Sequence, residues 1–333
     1  HRVDRRQRQM CIRDSIGGEK MKVLITGGAG FIGSHLAEHF NKANEVFILD
    51  NLSTGHRSNI KFIDDAHFIE NDVVNTSFVT SLVEKEQFDI VIHLAAVVSV
   101  VETINDPIKS QSVNINGTLN LLEANRQYNH NLKKFIFASS AAVYGNTEGL
   151  PKQVETFIDP ESPYAVEKYA GEQYTKIYNT LYNLPTTALR FFNIYGPRQD
   201  PHSPYFGVLS IIDKKFKNNE TFTFFGDGEQ TRDFVYVKDL VRAVSIVLDN
   251  EVTNGQIYNL ATGKQISLLE IFDKFKLVYN KSIDYQFAES RSGDIKHSCA
   301  DIKGLEALGF KPKYDIVSGL TESVSYTHLT LPT

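Results

Sequence analysis

The apolar run Lys22–Thr26 (KVLIT) passes directly into Gly27-Gly28-Ala29-Gly30-Phe31-Ile32-Gly33 and then into the helix-period stretch FIGSHLAEHF. A strand, a glycine turn and a helix in immediate succession constrain this chain more than any other feature, because the turn works only where a helix packs closely beside a strand end. The spacing is GxxGxxG, with Gly27, Gly30 and Gly33 at positions where a side chain would keep backbone or helix apart. A helix N-terminus there offers free amides and a positive dipole to a pyrophosphate. Asp50 closes the next strand pattern, EVFILD. A carboxylate in that place accepts bonds from both ribose hydroxyls and repels a 2′-phosphate, so NAD is expected in preference to NADP.

Further strand patterns follow at Ala66–Asp72, Asp89–Ala96 and Lys134–Ser140, separated by helix-period stretches, notably Thr76–Glu86 and Pro107–Tyr128. Alternation on this scale predicts βαβ units with right-handed crossovers. The expected fold is α/β: a Rossmann-type doubly wound parallel sheet with a smaller interleaved α/β substrate-binding domain. After Ser140 come a loop rich in Gly, Pro and Glu, a helix opening at Pro163, a strand TTALRFFNI (Thr186–Ile194) and the irregular stretch Gly196–Gly207. The expected boundaries are 21–192 for the NAD-binding domain, with a return segment near 230–262, and 193–322 for the substrate domain. Phe222, Phe224 and Phe225 read as core strand residues.

The two ends look foreign. Met10–Asp14 can be back-translated to a stretch whose reverse complement encodes Val324–His328, an inverted repeat expected of translated adaptor sequence. Residues 1–20 are therefore expected to be a non-native leader and 323–333 a non-native tail, with the native chain beginning at Met21. The formal charge of −5 leaves no basic footprint for nucleic acid. The apolar runs are strand-sized, so no membrane span is expected. Two cysteines, Cys11 and Cys299, suggest neither a disulfide framework nor a metal cluster. A cytoplasmic protein without metal is the expectation, and His93 reads as a packed strand-end histidine.

In Ser162-Pro163-Tyr164-Ala165-Val166-Glu167-Lys168, Pro163 suits the first helical position and Tyr164 and Lys168 lie one turn apart on one face. A lysine ammonium beside a phenol favours the phenolate, lowering a pKa of about 10 toward neutrality. Taken together, GGAGFIG, SSAAVYG, YAVEK and RFFNIYGP resemble the extended short-chain dehydrogenases, in particular the UDP-glucose/UDP-N-acetylglucosamine 4-epimerase family. The resemblance runs from Met21 to about Glu322.

That resemblance implies catalytic roles for Ser140, Tyr164 and Lys168: Ser140 on the sugar 4-oxygen, Tyr164 as base, Lys168 on the nicotinamide ribose. Ser139 remains an alternative to Ser140. It also implies that Phe31, Ile32, Asp50, Asn51, Ser53, Thr54 and Gly55 line the pyrophosphate and adenosine. Asp72 and Val73 would meet adenine. Leu94, Ala95, Ala96 and Asn114 would flank the cofactor, and Phe192 would close its nicotinamide side. For substrate, Asn193 and Arg232 would reach phosphate, and Arg291 and Asp294 would hold phosphate and uridine ribose. Ser298 stands where a bulky tyrosine would restrict the pocket, so room for an N-acetyl group is expected. Val98 replaces a lysine often found beside the cofactor in relatives.

The implied activity is NAD-dependent 4-epimerisation of a UDP-hexose, UDP-GlcNAc/UDP-GalNAc and/or UDP-glucose/UDP-galactose, through a 4-keto sugar, by a homodimer. Alternatives are a UDP-glucuronate 4-epimerase, another nucleotide-sugar dehydratase or decarboxylase, or an NAD-binding regulator without turnover. Related dehydratases carry an Asp-Glu pair where this chain has Ala141-Ala142, which argues against dehydration.

Overall fold

In the computed structural model of the protein the described residues are 20–199, 207–290 and 296–330, the side chains of 327–330 excepted. Six strands, β1 (Lys22–Thr26), β2 (Glu45–Asp50), β3 (Phe68–Glu70), β4 (Ile90–His93), β5 (Lys134–Ser140) and β6 (Thr186–Phe191), form one sheet with the strand Ile257–Leu260. From one edge to the other the order is Ile257–Leu260, β6, β5, β4, β1, β2, β3, and every pairing is parallel. This is a doubly wound sheet of Rossmann type. The strand order reverses between β1 and β4, where the carboxyl ends leave a crevice suited to a ligand.

Buried strands of a parallel sheet need apolar residues on both faces, and β1 supplies them by alternation. Val23 and Ile25 join Leu36 and Ala37 of α1 (Phe31–Phe40), together with Leu240 and Val244 of the helix Val237–Leu248. Leu24 points the other way, into a layer with Val79 and Val83 of α2 (Thr76–Glu86) and Leu121 and Leu122 of the helix Gly117–Tyr128. A third core, built on Phe216, Phe222, Phe224, Phe272 and Phe275, lies in the C-terminal half. Phe222 and Phe224 are buried there, whereas Phe225 is half-buried.

Two expected elements are subdivided. The strand expected over Thr186–Ile194 ends at Phe191, and Asn193–Tyr195 pairs instead with Phe234–Tyr236. Phe192 sits at the break with its ring buried beside Tyr144, so the chain leaves the main sheet where Asn193 must face another layer. The helix expected over Pro107–Tyr128 is α-helical at Pro107–Gln111 and Gly117–Tyr128 but forms a π-turn at Ser112–Asn116. Asn114, at that turn, is drawn into a buried polar network described below. The leader expected at 1–20 lies outside the described residues except for Lys20. The helix Ile316–Thr330 runs through the segment expected as a tail, with Val324 buried.

Candidate active site

The glycine turn closes tightly. Gly27 has a positive φ of 68° and its amide donates to Leu49 O across to β2 at 2.9 Å. A Cβ on Gly27 would lie 2.8 Å from Ala95 N, and one on Gly33 only 2.2 Å from Gly27 O. Both would collide with backbone, so these glycines let α1 and the β4 loop meet at the β1 end. Gly30 is the residue before α1 and gives its first turn no side-chain cap, leaving the amides of Phe31, Ile32 and Gly33 without intrahelical partners.

Asp50 is 8% exposed at the end of β2. Its Oδ2 accepts from Ala29 N of the glycine turn at 2.9 Å and its Oδ1 from Leu52 N at 2.8 Å. Burial raises its pKa above the usual carboxylate value, opposed by those amide bonds. A carboxylate has about four lone-pair sites, so two stay available for the two hydroxyls of a ribose. Gly55 packs so closely that a Cβ would be 3.0 Å from Asp50 Oδ1. Asn51 donates to Asp72 Oδ2 at 2.7 Å, tying the ends of β2 and β3 together, and Asn51 Oδ1 accepts from Ser53 N. Val73 is buried against Gly117, while Ser53 and Thr54 are exposed on the rim. These residues fit NAD: a close backbone cradle for pyrophosphate and a carboxylate for the ribose.

On the other side of the crevice, Leu94 N and Ala95 N both donate to Thr26 Oγ1 at 3.3 Å. That hydroxyl bonds His93 Nδ1 at 2.7 Å, and His93 Nε2 lies 3.0 Å from Thr118 Oγ1. Thr118 spends its one proton on Asn114 O at 2.7 Å, so it accepts from Nε2–H and leaves Nδ1 to accept from Thr26. His93 is thus a neutral, packed histidine, its pKa pushed down to about 3 by burial and by the Lys168 charge. Asn114 clasps the backbone of Val97, accepting from its N at 2.8 Å and donating to its O at 3.0 Å. The half-buried Ala96 immediately precedes that clasp.

Neighbouring residues on β5 face opposite ways, which separates the two serines. Ser139 is buried and donates to Glu172 Oε2 at 2.9 Å, where Glu172 grips Arg190 through Nε at 2.8 Å and Nη2 at 2.6 Å. Ser140, at the strand end, accepts from Ala142 N at 3.2 Å and hydrogen-bonds the Tyr164 phenol. The helix Pro163–Tyr182 starts where Ser162 Oγ accepts from Ala165 N, which puts Tyr164 in its first turn and Lys168 one turn on.

Lys168 is 5% exposed and donates to Ala138 O at 2.9 Å, with its Nζ 5.9 Å from the Tyr164 ring centre. Burial lowers its pKa to about 8, and Glu167 opposes that fall. Tyr164 differs from the expectation: burial raises its pKa above 10, the Ser140 bond opposing and Glu167 adding to the rise. Lys168 spends one of its three N–H donors on the Ala138 carbonyl, and in the protein alone burial outweighs what lowers the phenol.

The substrate residues converge less tightly. Asn193 Nδ2 donates to Asp233 O at 3.1 Å. Thr231 O accepts from both Arg232 Nη1 at 2.9 Å and Ser298 N at 3.1 Å, bringing those two residues to one carbonyl. Arg291 and Asp294 lie outside the described residues. Val98 is exposed. No group of His, Cys, Asp and Glu able to hold a metal occurs among the described residues, and no described helix is long and apolar enough to cross a membrane.

Asp233 and Glu167 are buried carboxylates that were not singled out from the sequence. Asp233 accepts from Thr262 N, Thr262 Oγ1, Gly263 N and Ala300 N, stapling the Arg232 segment to the loops on either side of it. Glu167, inside YAVEK, accepts from Ser110 Oγ and Asn114 Nδ2, both at 2.6 Å. Motif spacing gave no signal for either, because their partners lie about 30 to 70 residues away.

A Rossmann-type sheet with a glycine cradle, an acidic β2 end and a Ser/Tyr/Lys cluster defines a nucleotide-dependent short-chain dehydrogenase class. The chain belongs to the NAD dependent epimerase/dehydratase family, which it matches over residues 23–261. It is 40% identical over 309 residues to a Methanocaldococcus jannaschii protein provisionally named UDP-glucose 4-epimerase, covering 91% of this chain and 97% of that one. Among solved structures, a UDP-N-acetylglucosamine 4-epimerase from Methanobrevibacter ruminantium in complex with UDP-N-acetylmuramic acid is 36% identical. Its TM-score is 0.88, over 94% of this chain and 100% of that one. A Thermus thermophilus UDP-glucose 4-epimerase in complex with NAD is 35% identical with a TM-score of 0.84, over 93% of this chain and 100% of that one.

Proposed function

We propose that this enzyme is an NAD-dependent UDP-hexose 4-epimerase acting through a 4-keto sugar, with UDP-GlcNAc/UDP-GalNAc as its preferred pair. The observation that carries the reading is the pairing of Ser140 with Tyr164 beside a buried Lys168, at the carboxyl edge of the same parallel sheet whose β1 and β2 ends carry the glycine cradle and Asp50. Tyr164 takes the proton of the sugar 4-hydroxyl, and Ser140 bonds the same oxygen. Lys168 holds the ribose and favours the phenolate. NAD, when bound, accepts the hydride from sugar C4 and returns it to the opposite face. Arg232 and Asn193, with Arg291 and Asp294, would anchor the diphosphate and uridine, leaving the sugar free to turn.

The segment after Ser140 supports epimerisation over dehydration. Ala141 and Ala142 occupy the turn that follows it, and neither can serve as an acid or base. Ser298 is half-buried and carries a small side chain at the carbonyl shared with Arg232, which supports room for a C2 N-acetyl group. Residues 21–192 with a return near 230–262 would form the cofactor half, and 193–322 the substrate half.

We also assign a homodimer. Val101, Ile104 and Ile108 are 66%, 57% and 77% exposed, and Val166, Ile177 and Leu181 of the Tyr164 helix are exposed as well. Exposed aliphatic residues in such number support an interface between copies there.

The test incubates the purified protein separately with UDP-GlcNAc, UDP-glucose and UDP-glucuronate and resolves products by chromatography. UDP-GalNAc from UDP-GlcNAc is the expected result. Turnover of UDP-glucose alone would overturn the Ser298 argument, turnover of UDP-glucuronate alone would replace the substrate, and no turnover of any would overturn the reading.

A further inference from the structure

Glu167 lies between Tyr164 and Lys168 in the same helix yet is only 4% exposed, and an isolated buried carboxylate is costly. Among the described residues no cation forms an ion pair with it; its two oxygens are held by Ser110 Oγ and Asn114 Nδ2, each at 2.6 Å. The two donors are four residues apart, flanking the start of the π-turn, and both face the Tyr164 helix. Asn114 uses its remaining amide hydrogen and its carbonyl on Val97 O and N. Its backbone carbonyl accepts from Thr118, which leads through His93 and Thr26 to the amides of Leu94 and Ala95. One carboxylate thus terminates a continuous buried network that reaches the cofactor side of the crevice. The next residue in the helix is Lys168, whose ammonium donates to the Ala138 carbonyl and pairs with no carboxylate among the described residues.

We propose that Glu167 is a positioning residue, the buried counter-charge that keeps Lys168 protonated beside Tyr164 while holding, through Asn114, the Val97 backbone against the cofactor. This rests on the reading that Tyr164 and Lys168 run the chemistry. The electrostatics point the same way: the Glu167 charge raises both the Lys168 and the Tyr164 pKa. Burial is the larger influence on both groups, and Glu167 acts on both from the place where Ser110 and Asn114 hold it.

Glu167→Gln removes the charge and keeps a side chain that can bond both donors, since the Ser110 hydroxyl can turn to accept. In NAD-loaded protein, Tyr164 ionisation is followed by absorbance near 295 nm, with Tyr164→Phe subtracted, alongside the pH profile of kcat. The expected result is a shift of both the phenol titration and the kcat profile to lower pH by about one unit. Glu167→Asp, which retains charge but shortens the reach, should keep the wild-type titration and bind NAD about tenfold more weakly through a loosened Asn114. Glu167→Gln titrating like wild type would overturn the proposal, as would Glu167→Asp shifting as much as Glu167→Gln. Should Glu167→Gln fail to fold, Glu167→Asp carries the test alone, and unchanged NAD affinity or a phenol titration shifted by about one unit in that variant would overturn the proposal. Because the absorbance titration needs no turnover, its outcome is separate from any failure of the epimerase reading, which would show as wild-type protein inert toward every UDP-sugar.

Discussion

Replacing Gly33 with alanine tests the nucleotide cradle most directly, because two effects of known sign compete. In an open helix, Gly→Ala stabilises by about 1 kcal/mol through propensity and reduced unfolded-state entropy. At Gly33 the new methyl would stand 2.2 Å from Gly27 O, 2.7 Å from Gly28 Cα and 3.0 Å from Gly27 C. All three are backbone atoms of a turn pinned to β2 by the Gly27–Leu49 bond, so no flexible side chain can yield. Relief requires α1 to move outward by roughly 1 Å, opening its contacts with Val23 and Ile25, at an overpacking cost of about 3 kcal/mol or more. The net expectation is a loss of about 2–3 kcal/mol, a Tm lower by roughly 3–5 °C for a chain this long, with NAD binding lost. Gly30→Ala is the control. There the nearest atom is Gly27 O at 3.3 Å, so the Tm without cofactor should stay within about 1 °C while NAD affinity falls. Differential scanning calorimetry and isothermal titration with NAD would measure both. A Gly33→Ala protein with wild-type or higher Tm and intact NAD affinity would refute the reasoning.

Other outcomes follow from the same structure. Tyr164→Phe should lower kcat by about 10²–10⁴ with little change in NAD affinity, checked by steady-state kinetics and titration; a loss under tenfold would remove Tyr164 as the base. Glu172→Gln leaves Arg190 buried without its counter-charge and should cost about 3–5 kcal/mol in urea unfolding, because the pair is almost wholly desolvated. For His93, the folded pKa of about 3 lies below the unfolded value of 6.5, so the unfolded chain binds the proton first as pH falls. Its contribution is therefore complete above pH 6.5 and declines toward pH 3, by about 2 kcal/mol between pH 6.5 and 5, and His93→Asn should flatten that slope in urea titrations.

Local chemistry made much of this protein legible. The limits of β1, β2, β5, α1 and α2, and the start of the Tyr164 helix at Pro163, follow from apolar period, a glycine turn and a Ser-Pro start, signals contained within a few residues. Asp50 and the glycines could be assigned because strand, turn and helix adjoin in sequence. Tertiary packing decided the rest. The strand break at Phe192 and the π-turn at Ser112–Asn116 depend on partners far along the chain, Asp233 and the strand Phe234–Tyr236 for one, Val97 and Glu167 for the other. Nor could spacing separate Ser139 from Ser140, since only the sheet decides which serine faces the buried Glu172–Arg190 pair and which faces Tyr164. Sequence determined which groups of the Tyr164–Lys168 pair are present, but their proton affinities came from the fold: burial raises the phenol and lowers the ammonium, and desolvation is a property of surroundings that no motif encodes.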